Sequence, residues 1–397
     1  MENKEQQIEE LLTRGVAEVI DKEHLRKRLL SGEKLRIKLG IDPTSPNIHI
    51  GRAVLLLKLR DFQNLGHKII FIVGDFTGQI GDTSDKDSER PMLLQEQVVS
   101  NMQNYLEQAF KILDREKTET HYNSEWLSKI DLLELGKMAS VFSLHEFASR
   151  EVIARRLSTG KRVSFHEMLY PLFQGYDSIA VKADVEIGGT DQRFNLLAGR
   201  TLQPKYDQEP QDVLMTNLIL GTDGRKMSSS WGNTINLLDT PNDMFGKVMS
   251  VPDELIMSYF VHCTRVSMTD IAKIAEDIVT GANPRDAKVR LAREIVALYH
   301  GADEAEKAEA YFIDTFSKKH IPEDVKEIHC QEGSKLLDVL VQQNLAESKS
   351  DARRKMEQGG VSIDDKKITD ISTLVDKNFA GKVLRVGKKD FARILFE

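Results

Sequence analysis

The chain has 397 residues, 40% hydrophobic and 29% charged, the balance of an ordinary globular protein with room for two or three domains. No apolar run approaches the roughly 20 residues a membrane span needs. Residues 1–23 read as charged and helix-like, not as a signal peptide, and the two distant cysteines, Cys263 and Cys330, offer neither a disulfide framework nor a zinc site. A reduced, cytoplasmic protein with no membrane partner and no protein-bound metal or organic cofactor is expected. The formal charge of −7 hides an asymmetry, because residues 333–397 hold 13 Lys/Arg against 10 Asp/Glu, a net of +3 that leaves −10 on the rest. That basic end is where an RNA-contacting module is expected.

In chain order, residues 34–41 alternate Leu35, Ile37 and Leu39 with charged neighbours and read as a strand. Residues 42–47 are loop chemistry. A helix is expected over 48–64, a buried strand over 67–73, a long polar loop over 74–91 and a helix over 91–113. A further helix spans 166–180, a strand 183–187, a helix 191–202 and a strand 213–220. Strands alternating with helices predict an α/β fold, a doubly wound, Rossmann-like parallel sheet with ligands beyond the carboxyl ends of its strands. Residues 239–327 read as mostly helical and 328–334 as polar. A small α+β module then has helices near 335–343 and 350–358 and strands at 361–363, 382–386 and 394–396. The domain scheme is therefore 1–238, 239–332 and 333–397.

Four segments carry chemistry. In residues 42–52 a helix N-terminus offers free N–H groups to phosphate, Thr44 and His49 can add hydrogen bonds, Arg52 shares the helix face of His49, and Gly51 lets a flat base lie close. A surface histidine and a plain helix glycine fit the same letters. Residues 226–230, with Lys226, Ser228 and Ser229, suit a loop that closes over a triphosphate, or a polar hairpin. Tyr170, Gln174 and Asp177 share one face of a largely apolar helix, so they line a pocket or join a buried network. In residues 188–192, glycines after a strand allow close approach and Asp191 can hold ribose hydroxyls, or can simply cap a helix.

Taken together and in this order, these segments resemble bacterial tyrosyl-tRNA synthetases, which are class I aminoacyl-tRNA synthetases. The likeness covers nearly the whole chain and is most specific in residues 40–44, 74–82, 170–177 and 188–192. Residues 49–52 and 226–230 occupy the places of the class I HIGH and KMSKS signatures. Residues 333–397 are similar to a small S-four-like RNA-binding domain, through residues 350–361 and 381–387. The resemblance implies a helical anticodon-region domain at 239–332, and Arg353, Arg354, Lys382, Arg385, Lys388 and Lys389 as RNA contacts. It implies that Asp177 accepts the tyrosine hydroxyl, that Asp82, Tyr170 and Gln174 hold the ammonium with Asn123 as helper, and that Gln192 lies near the carboxylate. Gly40, Asp42, Gly51, Gly189 and Asp191 would line the ATP site with Ser228 and Ser229. Thr44, His49 and Lys226 would stabilise the departing pyrophosphate, assisted by Lys86 and Arg90. The implied partners are L-tyrosine, ATP as its Mg2+ complex, tRNA(Tyr) and a second copy of the chain, with apolar residues between 132 and 169 as the interface.

Three positions depart from the family pattern. Arg52 stands for the second histidine of HIGH, Ser229 for the second lysine of KMSKS, and Lys38 for a tyrosine that contacts the substrate hydroxyl. Arg225, Lys86 or Arg52 could supply the missing charge. Two other readings compete: a non-catalytic RNA-binding protein on a synthetase scaffold, and another HxGx nucleotidyltransferase. Retention of Asp82, Tyr170, Gln174, Asp177 and Gln192 speaks against the first. The C-terminal module speaks against the second. A tryptophanyl relative is not expected to carry the hydroxyl-seeking aspartate.

Overall fold

The structure is a computed structural model that describes residues 2–82, 92–317, 325–364, 366–387 and 390–396. It divides into two compact units, Met1–Glu309 and Ala310–Glu397.

The first unit is built on a six-stranded sheet. Its strands are β1 (Val16–Ile20), β2 (Arg36–Ile41), β3 (Lys68–Val73), β4 (Thr118–Tyr122), β5 (Val185–Gly189) and β6 (Asp212–Thr216), in the spatial order β1-β6-β5-β2-β3-β4. β2 to β6 are mutually parallel and β1 is antiparallel to β6. The core of β3, Ile69–Val73, is apolar and buried throughout, as a parallel strand covered on both faces requires. Strand order reverses between β2 and β5, the switch point at which such sheets bind ligands. β2 pairs with β3 over six residues, from Arg36–Lys68 to Ile41–Val73, but with β5 only at Ile37–Val185 and Lys38–Glu186. Beyond Lys38 the two strands part, and a crevice opens between their carboxyl ends.

Several elements differ from the sequence reading. Residues 1–23 are not one helical stretch. The helix Glu2–Thr13 ends before Gly15, whose φ is +64°, and the β-branched residues of β1 then pair with the free edge of β6. β4 went unpredicted because Thr-Glu-Thr-His-Tyr has no apolar alternation, and it is a half-buried edge strand. The long helix expected over 91–113 is two, Gln95–Met102 and Tyr105–Ala109, and the strand expected over 213–220 is only β6.

The helices Pro241–Met249, Ile256–Cys263, Met268–Val279 and Pro284–His300 lie within this unit, in a stretch that the sequence reads as mostly helical and sets apart as 239–332. Two buried cations join them to the sheet-covering helix Ile50–Asn64. Lys58 Nζ donates to the carbonyls of Leu11 (2.9 Å) and Arg14 (2.8 Å). Arg14 donates to those of Phe260 (3.3 Å), Val261 (3.0 Å) and Thr264 (2.8 Å). Each cation thereby satisfies orphan carbonyls at a helix C-terminus.

In the second unit, β7 (Lys326–Cys330), β8 (Val361–Ile363), β9 (Lys366–Lys367), β10 (Val383–Val386) and β11 (Asp390–Phe396) form a sheet of order β7-β11-β10-β8-β9. The helices Leu336–Gln342 and Lys349–Glu357 contribute Leu336, Leu340, Ala352 and Met356 to its core. β7 lies partly where the sequence reads a polar connector. Only Ile328 and Cys330 point inward, too short an alternation to stand out. Cys263 and Cys330 are both buried free thiols.

Replacing Arg14 with Ala removes three charged hydrogen bonds to buried carbonyls. It is expected to lower unfolding free energy by roughly 2–4 kcal/mol in chemical denaturation, leaving the fold intact by circular dichroism.

Candidate active site

The crevice between β2 and β5 is a cleft of about 480 Å³. Gly40, Asp42, Thr44, His49, Gly51, Arg52, Asp82, Asn123, Tyr170, Gln174, Asp177, Gly189, Asp191, Gln192, Lys226, Ser228 and Ser229 all line it. Lys86 and Arg90 lie outside the described residues.

Asp177 sits at a buried end of the cleft on the helix His166–Val181 and is 3% exposed. Its carboxylate accepts from Trp126 Nε1 at 2.7 Å and from Asn123 Nδ2 at 3.2 Å. Burial pushes its pKa up to about 7, against the opposing pull of Lys38, Trp126 and Asn123. Asn123 Nδ2 also donates to Thr77 Oγ1 (2.9 Å), and Thr77 donates to Asp42 Oδ1 (2.7 Å). Tyr170 donates to the other Asp42 oxygen at 2.9 Å. A continuous polar chain thus runs from Asp177 to Asp42 along one wall. Trp126 and Thr77 were missed by sequence reasoning. The only signal for Trp126 was its place three residues after Asn123.

Lys38, at the place of a substrate-contacting tyrosine in the family pattern, does not line the cleft. Its ammonium is fully buried behind the wall, 2.9 Å from Glu186 and donating to Ser178 Oγ and the Gln174 carbonyl, each at 2.8 Å. Glu186, also missed, accepts from the Gln174 (3.1 Å) and Ser178 (3.1 Å) side chains and from Gln211. Lys38 therefore acts through Glu186, which orients the cleft-lining Gln174.

Asp82 accepts from Gln192 and from Asn195 (3.4 Å), and Asn195 also donates to Gln192 Oε1 at 2.9 Å. Asn195, on the helix Arg193–Leu202, is a further residue the sequence did not single out.

At the opposite side, residues 48–50 lie against 235–237 through Ile50 N to Ile235 O (2.8 Å) and Leu237 N to Ile48 O (2.9 Å). His49 caps the helix Ile50–Asn64, its Nδ1 accepting the Arg52 amide at 3.3 Å. That contact places the ring proton on Nε2. Burial, with Arg52 and Lys226 nearby, depresses the His49 pKa to about 3, so the ring is a neutral donor and not a cation. Arg52 donates to Thr44 Oγ1 (3.0 Å), to the Asp42 carbonyl (3.4 Å) and to buried Tyr105. Lys226 Nζ lies 2.9 Å from Asp191 Oδ2. A Cβ on Gly51 would come within 3.0 Å of His49 Nδ1 and 3.3 Å of Met227 Sδ, so glycine here lets the 226–230 segment pack on the helix start. Arg225 is not on the cleft wall, for its guanidinium pairs with Asp223 and lies 4.8 Å from the Trp231 ring centre. Of the three groups considered for the missing charge, Arg52 is the one the described structure brings to the cleft.

In the second unit Arg353 and Arg354 project from the exposed side of the helix Lys349–Glu357, with Arg354 2.6 Å from Asp351. Lys382 precedes β10, Arg385 lies on it, and Lys388 and Lys389 are outside the described residues. Among the described residues no cluster of three or more His, Cys, Asp or Glu is placed to hold a metal, and no helix is long and apolar enough to cross a membrane.

A switch-point cleft with a helix N-terminus on one side and a lysine-bearing loop above it is the architecture of a nucleotide-handling α/β protein. A family profile of class I tRNA synthetases (W and Y) matches residues 30–317, and one of a tyrosine–tRNA ligase SYY-like C-terminal domain matches 317–394. The tyrosine–tRNA ligase of Dehalococcoides mccartyi is 46% identical over 397 residues, covering 99% of this chain and 100% of the relative. That of Thermotoga maritima is 45% identical, covering 97% and 96%. A solved tyrosyl-tRNA synthetase from Archaeoglobus fulgidus, complexed with L-tyrosine, superposes with a TM-score of 0.61 at 25% identity, covering 77% of this chain and 99% of that one. The chain belongs to the class I tRNA synthetases of the tryptophan and tyrosine group, and within it to the tyrosine–tRNA ligases.

Because the folded pKa of Asp177 is raised above the ordinary carboxylate value of 3.8, its contribution to stability is present below that value and is lost as pH rises through about 7. Asp177→Asn is therefore expected to gain stability relative to the parent chain as pH rises from 4 to 8. Difference infrared titration should show one carboxyl ionising near pH 7 in the parent and not in the variant.

Proposed function

We propose that this chain activates L-tyrosine with ATP and transfers it to tRNA(Tyr), using the cleft between β2 and β5. The carrying observation is the buried Asp177 carboxylate, held by the Trp126 and Asn123 donors 2.7 and 3.2 Å away. A phenolic hydroxyl reaching it gains a buried carboxyl partner, whereas phenylalanine leaves part of that carboxyl's hydrogen-bonding capacity unmet. Asp82, Tyr170 and Gln174 surround the ammonium, with Asn123 supporting Asp177, and Gln192 faces the carboxylate.

In the first step a tyrosine carboxylate oxygen bonds to the α-phosphorus of ATP, and the bond from that phosphorus to the bridging oxygen breaks. Pyrophosphate leaves with Mg2+, which arrives as part of the nucleotide substrate. The chain supplies position and charge, not covalent chemistry. Gly40, Asp42, Gly51, Gly189 and Asp191 take the adenosine, with Ser228 and Ser229 at its phosphate side. Thr44, neutral His49, Arg52 and Lys226 donate to the departing phosphates. In the second step a ribose hydroxyl of the terminal tRNA adenosine attacks the adenylate carbonyl and AMP leaves. The helices between Pro241 and His300 serve the anticodon region, and Arg353, Arg354, Lys382 and Arg385 contact RNA. The protein works in the cytoplasm.

We further read the functional form as a homodimer. Leu132, Leu133, Leu144 and Phe165 are 88, 69, 74 and 76% exposed within one stretch, far more apolar surface than a solitary face needs. Leu132→Lys with Leu133→Lys is expected to shift the chain towards monomer in sedimentation analysis.

ATP–pyrophosphate exchange across the standard amino acids is the direct test. Tyrosine alone should support exchange, and another amino acid winning would overturn the reading. Arg52→Ala should slow exchange roughly a hundredfold through loss of a donor, and an unchanged rate would remove Arg52 from the phosphate site.

A further inference from the structure

We propose that Asn233 is the positioning residue that fixes the Lys226 loop against the cleft. Residues 226–230 carry a single cation, Lys226, so the charge that this loop brings to the cleft depends on where one flexible side chain is rooted. Asn233 is 3% exposed and is not on the cleft wall, so it acts on the loop and not on a ligand.

Its carboxamide grips the backbone on both sides of Met227. Oδ1 accepts the Ser228 amide at 2.9 Å, and Nδ2 donates to the Lys226 carbonyl at 3.1 Å. Nδ2 also donates to Asp223 Oδ1 at 2.7 Å. Asp223 is anchored in turn by Arg225, through its amide at 3.0 Å and its Nε at 2.7 Å. The Asn233 carbonyl accepts the Thr222 amide at 3.2 Å, closing the strap from below.

Only a planar group with donor and acceptor on one carbon satisfies this set. Aspartate keeps the acceptor and loses both donors, and alanine loses every one of these side-chain bonds. Gly221 makes room for the strap: a Cβ there would stand 2.5 Å from the Asn233 carbonyl oxygen and 2.6 Å from its Cγ. Two positions with no charge of their own thus set the root of the one lysine that faces Asp191. A displacement of about 1 Å at a catalytic group can cost a hundredfold in rate.

This inference rests on the proposed reading of Lys226 as a phosphate-side group, and the test separates the two. In the full-length chain, Lys226→Ala, Asn233→Ala, Asn233→Asp, Gly221→Ala and the double variant Asn233→Ala/Lys226→Ala are compared in two assays. These are ATP–pyrophosphate exchange and single-turnover transfer of tyrosine from preformed adenylate to tRNA. Both Asn233 variants and Gly221→Ala should lower kcat for exchange about 10–100-fold, with KM for tyrosine and the transfer rate unchanged. The double variant should be no slower than Lys226→Ala. If Asn233→Ala fails to fold, Asn233→Asp, which keeps size and acceptor, decides. Normal exchange in Lys226→Ala would remove the reading beneath the inference. A slow Lys226→Ala beside full-rate, folded Asn233 variants would overturn the inference itself. So would losses that add in the double variant, or a rise in KM for tyrosine equal to the fall in kcat.

Discussion

The buried pair of Lys38 on β2 and Glu186 on β5 is the constraint on which the cleft rests. The two strands pair as far as these residues and no further, so the ion pair sits at the apex of the opening wedge. Both side chains are essentially unexposed, and two desolvated charges are tolerable only when their remaining hydrogen-bonding capacity is met. It is met by the Gln174 carbonyl and carboxamide, Ser178 and Gln211, which presses the helix His166–Val181 onto the sheet in one register. Tyr170, Gln174 and Asp177 face the cleft because that register is set.

From this base the polar groups are arranged before any ligand arrives. The chain Asp177–Asn123–Thr77–Asp42–Tyr170 is joined side chain to side chain and links the two ends of the wall. In the proposed reading, groups that recognise an amino acid at one end are tied to groups that border a nucleotide at the other. Such preorganisation removes reorganisation from the reaction step, which is where a site without a covalent role gains most. The neutral state of His49 belongs to the same economy of charge. A cap that accepts the Arg52 amide leaves one N–H pointing outward and adds no repulsion to Arg52 and Lys226.

Much of this was legible in the letters. The spacing of Tyr170, Gln174 and Asp177 gave a helix face because their neighbours are apolar, β2 read from its alternation, and β3 from its apolar run. Edge elements did not. β1 and β4 lean on one neighbour each and need little apolar patterning, and β7 buries only two side chains. The burial of Lys38 is hidden for a related reason: alternation sets it among the charged neighbours of Leu35, Ile37 and Leu39, and no local signal announces that a lysine faces a glutamate nearly 150 residues later. Trp126, Glu186, Asn195 and Asn233 act through contacts distant in sequence or through backbone atoms, neither of which composition or spacing records. The placement of Arg225 was hidden likewise, since Asp223 two residues earlier and Trp231 six later hold it away from the cleft.

In the proposed reading, the contact between Lys226 and Asp191 has a thermodynamic consequence for nucleotide binding. Both groups already hold a partner of opposite charge, so an arriving nucleotide does not meet a bare cation and a bare carboxylate but exchanges one set of pairings for another. The favourable Coulomb energy of binding is then a difference between the pairings formed and the pairing given up, smaller than the new pairings alone and less sensitive to dissolved salt than a count of charges implies. What the arrangement gains is a lysine whose head is already held at the cleft wall by Asp191.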